Sequence, residues 1–263
     1  MAPQITRFSD LTHVAEVFGD NEEFLYTEFH LVTEDDVVYY GKLEIDKLKI
    51  SLEQFTAALQ RVPDEELFPE LPSDVMFTLA PEDLSSDSLY LKRSRLKDYN
   101  DYKEQDAVDL LSLMLLDEAR ALELVSKHPH PGIIKYHGCR VRRGHITGLL
   151  LDKYPYDLGQ YLKDSMGKID KEAFVAALDS AVQHLHSLGL AHNDINPGNI
   201  LINAERMPVL VDFGSCCEIG QKLGASRGTA GWMEGDMDDY TTSETRHDTF
   251  AVERIRAWLD TST

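Results

Sequence analysis

Two stretches, residues 24–31 (FLYTEFHL) and 37–45 (VVYYGKLEI), are rich in aromatic and β-branched residues and flank the acidic turn Thr33-Glu34-Asp35-Asp36. That pattern predicts a β-hairpin. Residues 51–62 open with Ser51 and Glu53 and space Phe55, Leu59 and Val62 by four and three, which predicts a short amphipathic helix. From Pro63 to Ser86 the chain is acidic and proline-rich, and reads as irregular chain with one strand at Val75–Leu79. After Ser88 the texture becomes regular. SLYLKR reads as a short strand, and Ala107–Lys127 as a long helix ended by the run His128-Pro129-His130-Pro131. Residues 133–151 predict a hairpin about Arg142-Arg143-Gly144. Lys171–Leu188 carries Phe174, Leu178, Ala181, Val182 and Leu185 on one helical stripe, with Gly189 as its stop. Two apolar runs, NILIN and PVLVD, precede a last helix over Asp248–Leu259.

The chain has 263 residues, 43% of them apolar and 27% charged, the composition of one large globular domain or two small ones. No apolar run approaches the roughly 18 residues of a membrane span, and the start MAPQITRFSD has no apolar core of a secretory signal. Three cysteines without a CxxC point to a reducing, intracellular and cytoplasmic setting. Net charge is −20, of which −15 falls on residues 1–90. Such a surface repels nucleic acid. It reads as a solvated face that keeps the protein soluble and could steer a basic protein or peptide.

Candidate chemistry gathers in Asn199–Asp212 (NILINAERMPVLVD). With Ala204–Met207 as the turn, Ile202 faces Val209, Leu201 faces Leu210 and Ile200 faces Val211, so Asn199 stands opposite Asp212. Opposed Cβ atoms in such a ladder lie roughly 4.5–5.5 Å apart. One carboxylate and one amide oxygen with open positions suit Mg²⁺. Asp194, five residues before Asn199, would hang over the same end as a third oxygen donor or a base. The alternative is a turn-rich loop whose Asx side chains cap backbone groups. In the first long helix Leu111, Leu115, Glu118, Leu122 and Val125 share a face, which places Glu118 within the apolar stripe. A carboxylate there needs a cation, and Lys92 on the preceding strand is a short-range candidate.

These residues resemble the eukaryotic protein kinase-like superfamily. LYLK (Leu89–Lys92) is similar to its strand-lysine motif, and Glu118 falls where its helix glutamate pairs with that lysine. HPHPGIIKYHGC (His128–Cys139) is similar to its HPNI-type connection, AHNDINPGNIL (Ala191–Leu201) to its catalytic loop, and VDFG (Val211–Gly214) to its D-F-G. GTAGW (Gly228–Trp232) resembles the end of an activation segment. DTFAVERI (Asp248–Ile255) resembles the helix that buries a structural Asp beneath the catalytic loop. The pattern HND-x-NP-x-NI looks most like a divergent group of compact fungal kinase-like proteins. The resemblance implies an α+β, two-lobed kinase-like fold with a truncated C-lobe: an acidic N-terminal extension over 1–70, a small lobe over 71–152, a hinge at 153–157 and a large lobe over 158–263. It implies ATP and Mg²⁺ as cofactors, Lys92 on the phosphates, Asn199 and Asp212 on the metal, and Asp194 taking the acceptor's proton. His192 would pack against Phe213.

The departures from the family pattern are several. No glycine lies between Gly41 and Gly132, so no Gly-rich loop precedes Lys92. Asn193 stands for the arginine that receives an activation-segment phosphate, which makes Ser215, Ser226 and Thr229 ordinary loop residues rather than an on-switch. Asn196 stands for the loop lysine, and Glu234-Gly235-Asp236 for A-P-E. Three functions follow: an ATP-dependent serine/threonine-type protein kinase, a kinase-like binding or scaffold module, or a small-molecule phosphotransferase like aminoglycoside and choline kinases. His128/His130 and His184/His186 are HxH pairs without a third ligand nearby, Cys216 and Cys217 read as small buried thiols, and Trp232 and Trp258 as core.

Overall fold

The computed structural model describes residues 2–82, 86–224 and 227–262; Ser226 lies outside them. In chain order the strands and α-helices are β1 (His13–Phe18), β2 (Phe24–Val32), β3 (Val38–Leu43), α1 (Leu52–Ala58), β4 (Gln60–Arg61), α2 (Asp64–Leu67), β5 (Leu89–Lys92), α3 (Tyr99–Glu104) and α4 (Asp109–Ser126). There follow β6 (Tyr136–Arg142), β7 (His145–Asp152), α5 (Leu158–Lys163), α6 (Lys171–Ser187), β8 (Leu190–Ala191), β9 (Ile200–Ile202), β10 (Pro208–Leu210), β11 (Cys217–Glu218) and α7 (Thr245–Ser262). The chain divides into two compact units. One comprises Met1–Leu71, Arg93–Leu113 and Val141–Thr147; the other comprises Pro72–Lys92, Met114–Arg140 and Gly148–Thr263.

The first unit is built on an antiparallel sheet in the order β1-β2-β3-β4. The expected β2–β3 hairpin is present, with Val32 opposite Val38 across the acidic turn. One face of the sheet meets α1, where Phe29, Leu31, Phe55 and Leu59 bury together and the Phe29 and Phe55 rings meet edge to face at 4.7 Å. Gly41 lies opposite Phe29, and a Cβ there would come within 2.3 Å of the Phe29 ring, so only glycine allows this packing. Ser51 caps α1 through a reciprocal box with Gln54. The helix stops at Ala58, short of the expected Val62, because Gln60 and Arg61 leave it to pair with Tyr40 and Tyr39. Strand β1 was not legible in the sequence: no residue of it is fully buried, so its pattern carries no strong apolar alternation.

Much of the acidic charge of this unit is paired internally. Asp36, wholly buried at the hairpin turn in a left-handed conformation (φ 58°), accepts from Arg93 at 2.9 Å and from the Thr147 hydroxyl at 2.9 Å. Arg143 forks onto both oxygens of Asp64 (2.6 and 2.9 Å) and donates to the carbonyls of Asp35 and Asp36. Its guanidinium, by hydrogen bonding and then by charge, holds the Asp64 carboxyl below the ordinary carboxylate range despite burial.

The second unit carries β5 and the greater part of β6 and β7, in the sheet order β5-β7-β6, with Lys92 paired to Leu149 and β5 at the sheet edge. Val75–Leu79 is not the expected strand. It lies irregular and mostly exposed, touching the sheet only through a parallel bridge from Leu79 to Cys139, because it has no second ladder partner. Helix α6 buries the predicted stripe of Phe174, Leu178, Ala181, Val182 and Leu185, and packs on α7. Gly189 follows its last turn at φ +79°, the left-handed value a helix stop requires. Trp232 and Trp258 are half-buried rather than core, and pair edge to face at 5.7 Å. Cys216 is buried and Cys217 half-buried. The histidine pairs serve packing: His130 stacks on His184 at 5.1 Å, and His186 bonds Asp248.

Removing Arg143 takes the short fork from the buried Asp64 carboxylate and leaves it only Arg61, at 3.5 Å, so Arg143→Ala is expected to cost about 3 kcal/mol in urea unfolding. The sign with pH follows from the depressed carboxyl. Asp64 binds fewer protons folded than unfolded, so its contribution is full above the ordinary value of about 4 and fades as pH falls through its folded value. The gap between wild type and variant therefore narrows below about pH 4.

Candidate functional site

Lys92 ends β5, and Glu118 projects from α4 in the middle of the predicted apolar stripe, 4% exposed. The Lys92 ammonium reaches Glu118 Oε1 at 2.6 Å and Asp212 Oδ1 at 3.0 Å. The Phe213 N–H also donates to Glu118 Oε1, at 3.1 Å. Burial alone would lower the Lys92 pKa, but the two carboxylates more than offset it and hold the amine above its ordinary value. Burial likewise pushes Asp212 upward, and Lys92 reverses the direction, so Asp212 lies below the ordinary carboxylate range. For Glu118 burial wins and raises the carboxyl, against the pull of Lys92 and the Phe213 N–H.

Asp212 does not reach this place as the sequence pattern predicts. The β9–β10 ladder pairs Ile202 with Pro208, Leu201 with Val209 and Ile200 with Leu210, one residue out of the expected register. The cause is the turn. Asn203 N donates to Met207 O and Asn203 Oδ1 accepts from Met207 N, leaving a three-residue loop that closes through Arg206 at φ 61°. Asn199 therefore faces Val211, whose N–H donates to its carbonyl at 3.0 Å. Asp212 lies one step past the ladder in a left-handed conformation (φ 61°, ψ 76°), and Gly214 N donates to its Oδ1 at 3.3 Å. That kink turns its carboxylate to Lys92 rather than setting it across from Asn199.

A second group forms around Asp194. Asn199 Nδ2 donates to Asp194 Oδ2 at 3.1 Å and to its carbonyl at 2.8 Å. With its N–H groups so engaged, Asn199 keeps Oδ1 as the atom available to a cation. Asp194 Oδ1 accepts from Asn196 Nδ2 at 3.1 Å and from the Thr229 hydroxyl at 2.6 Å. Thr229, expected to be an ordinary loop residue, is instead an alcohol held on this carboxylate. Its place in GTAGW was the signal available. Asn196, read only as a lost lysine, orients both Asp194 and Thr229, to which it donates at 3.2 Å.

The two groups hang from one buried support. His192 packs on Phe213 with ring centres 5.2 Å apart, and its Nε2 lies 3.0 Å from the Val211 carbonyl. Asp248 of α7, wholly buried, accepts from the N–H groups of His192 and Asn193, both at 2.8 Å. Of the five sequence candidates, the structure gathers Lys92, Glu118 and Asp212 around one ammonium and joins Asp194 to Asn199. Among the described residues, no three His, Cys, Asp or Glu side chains converge to hold a metal ion.

The protein kinase domain profile matches residues 91–255, more than half of the chain. The chain belongs to the protein kinase family. Its mixed α+β, two-lobed fold class is the one the sequence pattern predicts. It is 32% identical over 129 residues to the serine/threonine-protein kinase/endoribonuclease IRE1 of Hypocrea jecorina, covering 41% of this chain and 10% of that protein. It is 32% identical over 126 residues to the human IRE2 counterpart (41% and 13%), and 35% over 116 residues to the serine/threonine-protein kinase dst3 of Dictyostelium discoideum (41% and 20%). The chain thus spans a fifth or less of the length of these curated relatives. Among solved structures it is similar to the kinase PK-1 of Cydia pomonella granulovirus, at 18% identity and a TM-score of 0.49 over 68% of this chain and 61% of that one.

The Lys92 ion pairs, with the buried Glu118 at their centre, make a stability prediction independent of any reaction. Lys92→Met leaves two carboxylates facing each other without a cation and is expected to cost about 3 kcal/mol in denaturant unfolding. Adding Glu118→Leu to Lys92→Met should recover most of that loss. A double variant no more stable than the single would disprove the pairing.

Proposed function

We propose that the chain is an ATP- and Mg²⁺-dependent phosphotransferase of the serine/threonine protein kinase type. The observation that carries this reading is the Lys92 ammonium held between Glu118 and Asp212. A cation so positioned, above its ordinary pKa and one hydrogen bond from a carboxylate, suits the phosphates of a nucleotide. The oxygen donors fit Mg²⁺: the Asp212 carboxylate and Asn199 Oδ1 are hard ligands, and an ion that keeps waters and phosphate oxygens needs only one or two from protein. Bound there, Mg·ATP would supply the phosphoryl group and neutralise its developing charge. Lys92 would orient the phosphates, and Asp194 would accept the proton of the incoming hydroxyl. The Thr229 hydroxyl already lies at hydrogen-bond distance from that carboxylate.

In this reading 71–152 form the small lobe, 153–157 the hinge and 158–263 the large lobe, with 1–70 as the acidic extension. The acceptor is a protein or peptide, and the acidic balance favours a basic one. Nucleic acid is disfavoured as a partner by the same charge. Among the described residues no helix is long and apolar enough to cross a membrane. The pattern HND-x-NP-x-NI supports placing the chain near compact fungal kinase-like proteins, and the cysteine usage supports a cytoplasmic setting. A binding or scaffold module is the second reading. It is favoured by β5 lying at a sheet edge, with no Gly-rich segment before Lys92 to close over phosphates. A small-molecule phosphotransferase differs only in its acceptor.

Mg·ATP at a hundredfold over its Kd is expected to add about 2.7 kcal/mol, a rise in Tm of roughly 5–10 °C. Asp212→Asn should abolish that shift. No shift at millimolar Mg·ATP would decide for the scaffold reading. Asp194→Asn should keep the shift and lower phosphotransfer by roughly 10²–10⁴-fold. Transfer at wild-type rate by that variant would remove Asp194 as the base. Peptide against amino-alcohol acceptors then separates the two kinase readings.

A further inference from the structure

Position 193, where the family pattern has a phosphate-receiving arginine, is an asparagine 3% exposed in a left-handed conformation (φ 62°), which Asn tolerates better than most residues. Its Nδ2 lies 2.9 Å from the Ala191 carbonyl, 3.1 Å from the Ser215 carbonyl and 3.0 Å from the Ser243 hydroxyl. With three acceptors around Nδ2, Oδ1 must be the atom that meets His247 Nδ1 at 3.1 Å, so Nδ1 carries the imidazole proton. His247, also 3% exposed, lies flat on Tyr240 with ring centres 3.8 Å apart and planes at 15°. The Tyr240 hydroxyl accepts from Glu234 N at 3.0 Å, its carbonyl accepts from Arg227, and its ring buries with Leu223 and Met233.

One side-chain amide thus touches the strand before Asp194, the start of the segment that follows Asp212, and that segment's end. Between those ends lies Thr229, whose hydroxyl is on Asp194. An arginine–phosphate clamp is charge-assisted and present only when the phosphate is. The Asn193–His247–Tyr240 chain is neutral, buried and present from folding onward. Glu234, Glu244, Arg246 and Asp248 are the charged groups that face His247, and burial, the largest influence, keeps its imidazole below the ordinary value and uncharged.

We propose that Asn193 and His247 are positioning residues that hold residues 215–224 and 227–243 against the Asp194 loop without phosphorylation. Its consequence for catalysis rests on the phosphotransferase reading; the holding itself does not. The test is hydrogen exchange on the phosphatase-treated full chain. The amides of Gly220, Leu223 and Ser243, bonded to the carbonyls of Ser243, Thr241 and Gln221, are expected to be protected in the untreated and treated protein alike. Asn193→Ala should speed their exchange about tenfold, the effect of one lost net hydrogen bond, while α6 amides keep wild-type rates. His247→Ala should do the same, and His247→Asn, which keeps a donor near Nδ1, should restore part of the protection. Fast exchange in the dephosphorylated wild type would overturn the proposal, as would wild-type rates in both alanine variants. If Asn193→Ala also loosens α6, the contrast between His247→Ala and His247→Asn decides. Where the wild type transfers phosphate, Asn193→Ala should lower kcat about tenfold with the ATP KM unchanged. A wild type that transfers none refutes the reading of the preceding section and leaves the exchange result standing.

Discussion

A buried carboxylate is tolerable only where a cation meets it, and Glu118 meets Lys92, a half-buried ammonium that also reaches Asp212. That constraint reaches far into the second unit. It fixes the face that α4 presents, since Glu118 interrupts an otherwise apolar stripe and would be an uncompensated charge in any other rotation. It also explains the backbone at Asp212, a left-handed non-glycine residue whose cost is offset by the ion pair it makes possible. Phe213 is then placed by its neighbour: its N–H serves Glu118 while its ring packs on His192, which leads on to the Asp194 loop. A single charge thereby sets the positions of residues on a strand, a helix and a loop.

What the sequence revealed and what it hid divide along a physical line. Periodicity exposed the stripe of α4 and hence the odd position of Glu118, because a helix converts spacing directly into a face. The same logic failed for the β9–β10 hairpin, where register depends on the turn, and a loop closed by Arg206 in the left-handed region has no glycine to announce it. The expected opposition of Asn199 and Asp212 was wrong by one residue. Thr229 escaped because, apart from its place in GTAGW, nothing local distinguishes a hydroxyl that bonds a carboxylate 35 positions away from one that meets water. Strand β1 escaped because partial burial along its length leaves no alternation to read.

The acidic N-terminal third also changes meaning once folded. Composition suggested a face turned toward solvent or a basic partner, but Asp36 and Asp64 point inward, to Arg93, Thr147 and Arg143. Those partners come from segments far along the chain, and residues 1–71 form one unit with 93–113 and 141–147. An electrostatic argument from net charge counts every carboxylate equally. Burial does not, and the carboxylates that matter most to the fold are those a basic partner cannot reach.

The candidate site shows one substitution logic applied twice. At 193 and at 196, where the family pattern has an arginine and a lysine, the chain has asparagine, and in both places the amide makes several short-range bonds that a long cationic side chain would not make in the same space. An amide is donor and acceptor at once, so it can satisfy carbonyls, hydroxyls and a carboxylate within one turn without importing a charge that needs its own partner. The exchange removes long-range attraction for phosphate and gains local order. Lys92 is then the one ammonium that the described residues bring to Glu118 and Asp212. In the proposed arrangement the loop is held by a few buried neutral bonds rather than by a modification that comes and goes.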